Sequence, residues 1–163
     1  MKDDSPVRRS RGIVITALGF GEILGYGTTL YLPAVLARPI ALDTGWPLPW
    51  IVAGLTIGSL TAGLISHRVG HAVHTRGGRP VMIAGTLLLA VGLTGLGLAH
   101  TLPLHLLAWV VTGLGMACTL YDAAFATLGT LYGAEARKAI TAVTLFGGVA
   151  STVCWPLGAL FVE

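Results

Sequence analysis

Residues 81–99 read VMIAGTLLLAVGLTGLGLA, a run of 19 residues without one ionisable side chain. Wound as an α-helix at 1.5 Å per residue, such a run is about as long as the hydrocarbon layer of a bilayer is thick, roughly 30 Å. Arg79 and Pro80 precede it and His100 follows, so the apolar stretch has sharp polar edges. Working outward from it, four further runs of the same character occur. The reading is an all-α, polytopic membrane bundle of five spans, at residues 13–36, 50–66, 81–99, 104–131 and 139–162, after a tail of residues 1–12. Composition agrees: 54% of the residues are hydrophobic and 10% charged, where a soluble domain carries about a quarter charged residues. Lipid is the solvent that suits this chain.

The basic residues give a second, independent test, because Lys and Arg accumulate in connections that remain cytoplasmic. Lys2, Arg8, Arg9 and Arg11 precede the first run, Arg68, Arg76 and Arg79 lie between the second and third, and Arg137 and Lys138 between the fourth and fifth. With alternating spans all nine fall on one side, and only Arg38 falls on the other, in the segment Ala37–Pro49 with Asp43 and the turn formers Gly45, Pro47 and Pro49. This predicts a cytoplasmic N-terminus. The first run, interrupted by Glu22 and lacking a cleavage pattern, is expected to remain as a helix instead of being removed as a signal peptide. The net charge of +3 follows from these topogenic residues and gives no reason to expect nucleic acid as a partner. With five spans Glu163 ends on the opposite face, directly after apolar residues, so the chain reads as an N-terminal portion whose C-terminal half is missing.

Small residues are frequent where helices in lipid must approach closely. Gly54, Gly58 and Ala62 form one stripe of the second run, and Gly85, Gly92, Gly95, Gly97, Gly113 and Gly115 punctuate the third and fourth. Cys118 and Cys154 lie inside apolar runs and are expected to be packing residues. His67, His71 and His74 would share one helical stripe if the second helix continued so far, and are expected to form a solvated face with no metal. Thr141, Thr144, Ser151 and Thr152 are expected to bond their own helix carbonyls. Pro33 and Pro156 stand where they can bend the first and last helices.

The connection from Val69 to Met82 reads VGHAVHTRGGRPVM. It resembles the signature loop of the major facilitator superfamily, Gly-x-x-x-Asp-Arg-x-Gly-Gly/Arg-Arg, in the position where that family carries it. Gly70, Gly77 and Arg79 match, with Gly78 between the last two in the same loop motif, whereas His74 stands at the family's Asp and Thr75 at its Arg. Leu120–Phe125 and the stretch from Glu135 to Pro156 are similar to the fourth and fifth spans of transporter members, so the resemblance covers the chain from about residue 12 onward. It implies a parent fold of two six-span halves that works by alternating access, with this chain lacking the sixth span and the second half. It implies a location in a bacterial inner membrane and a charged latch at the signature loop, which the loss of the Asp weakens.

Two acids lie inside spans. Glu22 and Asp122 are each about nine residues from a cytoplasmic end, ~13 Å deep at helical rise. A charge at a helix centre costs on the order of 3 kcal/mol on insertion scales, so each needs a polar cavity, a donor or a proton. The resemblance implies that the first and fourth spans both line the central pathway, so the two acids are candidates for binding a proton or a cationic group of a solute. Tyr26 and Tyr121 are candidates beside them. The alternative is that the acids accept hydrogen bonds from neighbouring helices and fix packing, with the tyrosines as ordinary packing residues. No nucleophile elbow, phosphate loop or metal-ligand pair is present in the sequence, so neither an enzyme nor a cofactor is expected. The functional expectation is a secondary carrier of small solutes, with protons as a possible coupling ion. Against it stands a truncated, non-transporting module that packs against another membrane protein.

Overall fold

A chain this apolar can satisfy its backbone N–H and C=O groups only within its own helices. The computed structural model describes residues 6–160 and is helical nearly throughout, with no strand among the described residues. Helix α1 runs over Pro6–Tyr26, passes through a π-helical segment Gly27–Tyr31, and continues as α2 over Leu32–Thr44. Helix α3 spans Leu48–Arg76, α4 Gly78–Gly97, α5 Leu102–Thr119, α6 Tyr121–Tyr132 and, after a 3-10 turn at Gly133–Glu135, α7 Ala136–Leu160. Of the expected tail of residues 1–12, the part from Pro6 on is helical, whereas Lys2 and Glu163 lie outside the described residues.

The breaks have local causes. Pro33 has no N–H to give to the Thr28 and Thr29 carbonyls one turn below it, and the Thr28 and Thr29 hydroxyls donate in turn to the carbonyls of Leu24 (2.8 Å) and Gly25 (2.6 Å). Freed carbonyls and competing hydroxyls together account for the π-helical widening just before Pro33. Gly45 closes α2 in the left-handed region with φ +71°, its N–H donating to the Ala41 carbonyl at 3.0 Å. Gly77, at φ +86°, ends α3 and begins α4 by itself. Only a glycine takes such angles without strain. Leu120 is extended, and its carbonyl accepts from the N–H groups of Ala123 and Ala124, both at 3.1 Å.

Four helical stretches among the described residues are long and apolar enough to cross a membrane: Arg11–Thr44, Leu48–Arg76, Gly78–Gly97 and Leu102–Gly158. The last has 57 residues, about 85 Å at helical rise, far more than one crossing. Its contacts show that it doubles back. Tyr121 at the start of α6 meets Thr144 and Gly147 of α7, while Leu128 further on meets Ala139 and Val143. Partners that descend as the chain ascends mean antiparallel helices, with the reversal at Gly133 (φ +51°). The chain therefore makes five passes along the bundle, although only four stretches are counted by length and apolarity.

Two helices run on past the ends of the expected spans. The connection Ala37–Pro49 shrinks to Gly45–Pro47, because α2 continues to Thr44. The helix that holds the expected span 50–66 continues to Arg76, so Gly70 and His74 are helical and the turn is Gly77 alone. No Pro interrupts residues 67–76, and His and Arg are compatible with a helix that leaves the apolar layer into a polar one.

The passes alternate. Gly54 and Gly58 lie against Trp109, and Gly113 against Gly58 and Thr61, so α3 and α5 are parallel. Gly85 lies against Cys118, and Gly92 against Thr112, so α4 runs against α5. Gly19 meets Phe146 and Gly27 meets Cys154, making α1 parallel to α7. One end of the bundle collects Arg11, Arg76, Arg79, Arg137 and Lys138, and Arg38 lies toward the other. At that first end the Arg11 guanidinium donates to the Glu135 backbone carbonyl at 2.6 Å, lies 3.8 Å from its carboxylate, and sits 4.9 Å from the Tyr132 ring centre. Leu64, Leu87 and Leu145 point outward, exposed at 74%, 63% and 68%. The interior holds small residues, such as Ala117, Ala123, Ala139 and Ala150. Large apolar groups outside and small ones inside is the distribution that suits lipid rather than water.

Candidate functional site

Glu22 lies on the inner face of α1, 1% exposed. Neither of its carboxylate oxygens has a hydrogen-bond partner. A buried polar side chain without a partner is rare in native structures, and both oxygens here are in that state. One turn further along α1, the Tyr26 ring lies 5.0 Å from the ring of Tyr121, the first residue of α6. The Tyr121 ring stacks on Phe125 at 4.9 Å, and its hydroxyl donates to the Thr144 carbonyl of α7 at 3.4 Å. Its position there depends on Gly147, because any side chain at that residue would collide with the Tyr121 hydroxyl.

Three of the four expected pathway residues are thus brought together, Glu22 and Tyr26 one turn apart on α1 and Tyr121 against Tyr26 from α6. Asp122 differs. It is exposed, in the first turn of α6 directly after the Leu120 break, where a negative charge faces the positive end of the helix dipole. Gly25 faces Leu120, and with α6 antiparallel to α1 the two acids lie at nearly the same depth, so they differ in exposure and not in level. Asp122 therefore sits at the rim of the cluster.

Of the signature loop, His74 and Arg79 are exposed, as is Gly77 at the turn, and Gly70 lies partly covered on α3. Gly78 is buried, with the Thr127 side chain of α6 in the space a methyl group would take. The loop thus ties the start of α4 to α6. His67, His71 and His74 are helical and exposed, and no cluster of three possible metal ligands occurs among the described residues. The Thr141, Thr144 and Ser151 hydroxyls donate to their own helix at Arg137, Ile140 and Gly148.

The sequence reading missed His105. It is 4% exposed, beside the equally buried Trp109, whose indole N–H donates to the imidazole Nε2 at 3.1 Å. Nε2 is an acceptor there, so the proton of the neutral ring is on Nδ1. The Trp46 ring meets His105 edge-on at 5.6 Å. Two signals were available: a histidine inside an apolar run, which membrane burial makes unusual, and a Trp four residues later on the same helical face.

The fold and site define the class only as far as an all-helical protein with membrane-spanning character and a buried, unpartnered acid. Compared with protein-family models and with curated proteins, the chain matches none.

Proposed function

We propose that the chain spans a lipid bilayer in five passes with its N-terminus in the cytoplasm, as part of a secondary carrier of small solutes that works by alternating access. The resemblance to the major facilitator superfamily at Gly70, Gly77 and Arg79 and along α6 and α7 supports this reading, as does the collection of basic residues at one end of the bundle. The observation that carries it is Glu22. An ionised carboxylate buried without a donor or counter-charge costs several kcal/mol, and no lysine or arginine is buried among the described residues. A group kept at that cost is suited to taking a transient partner: a proton, or the cationic part of a solute. The Tyr26 and Tyr121 ring faces beside it suit a cation. No set of side chains suited to covalent or metal-assisted chemistry accompanies it, so transport and not catalysis is proposed.

The test is reconstitution of the chain in vesicles, with uptake of a radiolabelled panel of small cations, sugars and amino acids measured across external pH. Flux without any added protein is expected, with Glu22→Gln lowering it at least tenfold or abolishing its dependence on pH. Unchanged uptake and an unchanged pH profile in Glu22→Gln would remove Glu22 from the mechanism. Absence of flux for the whole panel favours the non-transporting module.

A further inference from the structure

Away from Glu22, toward the end of the bundle opposite the arginine cluster, α2 and α4 stand apart over a floor made by α3 and α5. The gap is a cavity of about 480 Å³, within the range of roughly 300 to 1,000 Å³ typical of small-molecule sites. Leu36 and Ile40 of α2, Leu55 of α3, and Leu93 and Leu96 of α4 form its walls. Trp109 and His105 form part of the floor.

The floor is held in place. The Trp109 indole lies over Gly54 and Gly58, the two positions of α3 that have no side chain to obstruct it. Its N–H is anchored on His105, and His105 is in turn held by Trp46. The cavity therefore does not close by rotation of its largest side chain. Its polar side chains are engaged as well: the Thr28 hydroxyl donates to Leu24 and the Trp109 N–H to His105. No charged side chain lines it. An ion or a polar solute would leave its own hydrogen bonds in water and find none here, and an apolar cavity does not hold water. Hydrocarbon loses nothing on entering. Ala34, Val52 and Gly97 belong both to the lining and to the exposed surface, Val52 at 49%, so the mouth opens on the outer apolar face of the bundle.

We propose that this cavity is a binding site for one hydrocarbon chain, supplied by an acyl tail of a surrounding membrane lipid. The site rests on the membrane-spanning part of the functional reading and is independent of Glu22. Trp109, 2% exposed, reports on it, because bromine atoms on a lipid tail quench a tryptophan only on close approach. Trp155, 56% exposed on the outer face, reports on lipid contact in general.

The experiment compares two chains with a single tryptophan, one keeping Trp109 (Trp46→Phe, Trp50→Phe, Trp155→Phe) and one keeping Trp155 (Trp46→Phe, Trp50→Phe, Trp109→Phe). Both are reconstituted in phosphatidylcholine vesicles with plain or brominated acyl chains. The expected result is quenching of Trp109 to at least half the extent seen for Trp155, reduced at least threefold when the cavity is filled by Leu93→Phe or, at its mouth, by Val52→Phe. Quenching of Trp155 with none of Trp109 overturns the site while leaving the membrane reading intact. Quenching of neither overturns both. Quenching of Trp109 by free 1-bromododecane in plain vesicles, but not by brominated lipid, overturns the lipid as the source of the chain.

Discussion

Where α3, α4 and α5 meet, Gly92, Gly113 and Gly115 bring backbone onto backbone; where α1, α6 and α7 meet, the glycines lie against side chains. A methyl group added at Gly113 would meet the Gly58 carbonyl and, at 2.9 Å, the Gly58 Cα. One at Gly92 would meet the Thr112 N at 2.7 Å and Cα at 2.9 Å, and one at Gly115 the Leu89 N at 2.7 Å. In the other region the obstacles are the Phe146 ring at Gly19, the Leu120 methyl at Gly25 and the Cys154 sulfur at Gly27. Side chains can rotate away, whereas a helix backbone moves only as a whole. The first region is a rigid frame and the second a joint with give, and Glu22, Tyr26 and Tyr121 all belong to the second. In a carrier that rocks around a midplane site, this division puts the candidate coupling group on the part that can adjust.

The largest effect is expected at Gly113. Gly113→Leu forces α5 away from α3 and is expected to cost about 3 kcal/mol or more, the upper range of overpacking. Unfolding of the reconstituted or micellar chain with increasing dodecyl sulfate measures this. A loss below about 1 kcal/mol would mean that the helices are not held at backbone contact.

Glu22 comes next, with the opposite sign. Glu22→Met replaces a buried, unpartnered carboxyl by an apolar group of similar length and is expected to stabilise the chain by about 1 to 3 kcal/mol in the same assay. Destabilisation of that size would show that the carboxyl has a permanent partner and is a structural anchor, which removes the strongest support for a coupling role.

Much of this contrast was legible in the sequence on the frame side and little on the joint side. Gly54, Gly58, Gly85, Gly92, Gly113 and Gly115 mark the α3–α4–α5 contacts directly, since in lipid small residues are what permits close approach. Gly97, of the same type, has nothing near its added carbon, and its sequence does not distinguish it. The acids were legible as isolated charges in apolar runs, but not their different surroundings. Whether Asp122 faces in or out depends on the break at Leu120, a position with no Pro or Gly. The Thr119 hydroxyl bonded to the Gly115 carbonyl at 2.8 Å is the only local sign of it, and such a bond is common in unbroken helices. The extension of α3 past residue 66 was obscured by polarity: a hydropathy reading ends a span where charges begin, whereas the helix itself ends where the backbone must turn, at Gly77. The cavity over Trp109 arises from the splay of α2 away from α4, which no stretch of either helix encodes alone.

A milder test of the joint is Gly27→Ala. The nearest atom to the added carbon is the Cys154 sulfur at 2.6 Å, which rotates about one bond, while alanine reduces the freedom of the unfolded chain by about 0.4 to 1 kcal/mol relative to glycine. The two effects oppose one another, and a net change within about 1 kcal/mol is expected. In a Cys154→Ala background the obstruction is gone, so the same substitution is expected to become stabilising. A double-mutant cycle over Gly27 and Cys154 reads the difference. Additivity there would mean that α1 and α7 are not in contact at this level.

The smallest effect is expected where the two ends of the joint meet, at Arg11. The ion pair to the Glu135 carboxylate is long, 3.8 Å, and Glu135 is 71% exposed, so Glu135→Ala is expected to change stability by less than about 0.5 kcal/mol, as for exposed pairs in general. Arg11 does more than pair. Its Nη2 donates to the Glu135 backbone carbonyl, a bond that survives Glu135→Ala, and its guanidinium lies over Tyr132. Arg11→Ala is therefore expected to cost about 1 kcal/mol, and Arg11→Lys most of that, because a single ammonium does not reach the carbonyl and cover the ring together. Equal effects of Arg11→Ala and Glu135→Ala, both fading in high salt, would mean that charge alone holds α1 to the Gly133 reversal. Unequal effects that persist in salt would mean that the backbone contact does so, leaving the carboxylate of Glu135 free at the rim of the bundle.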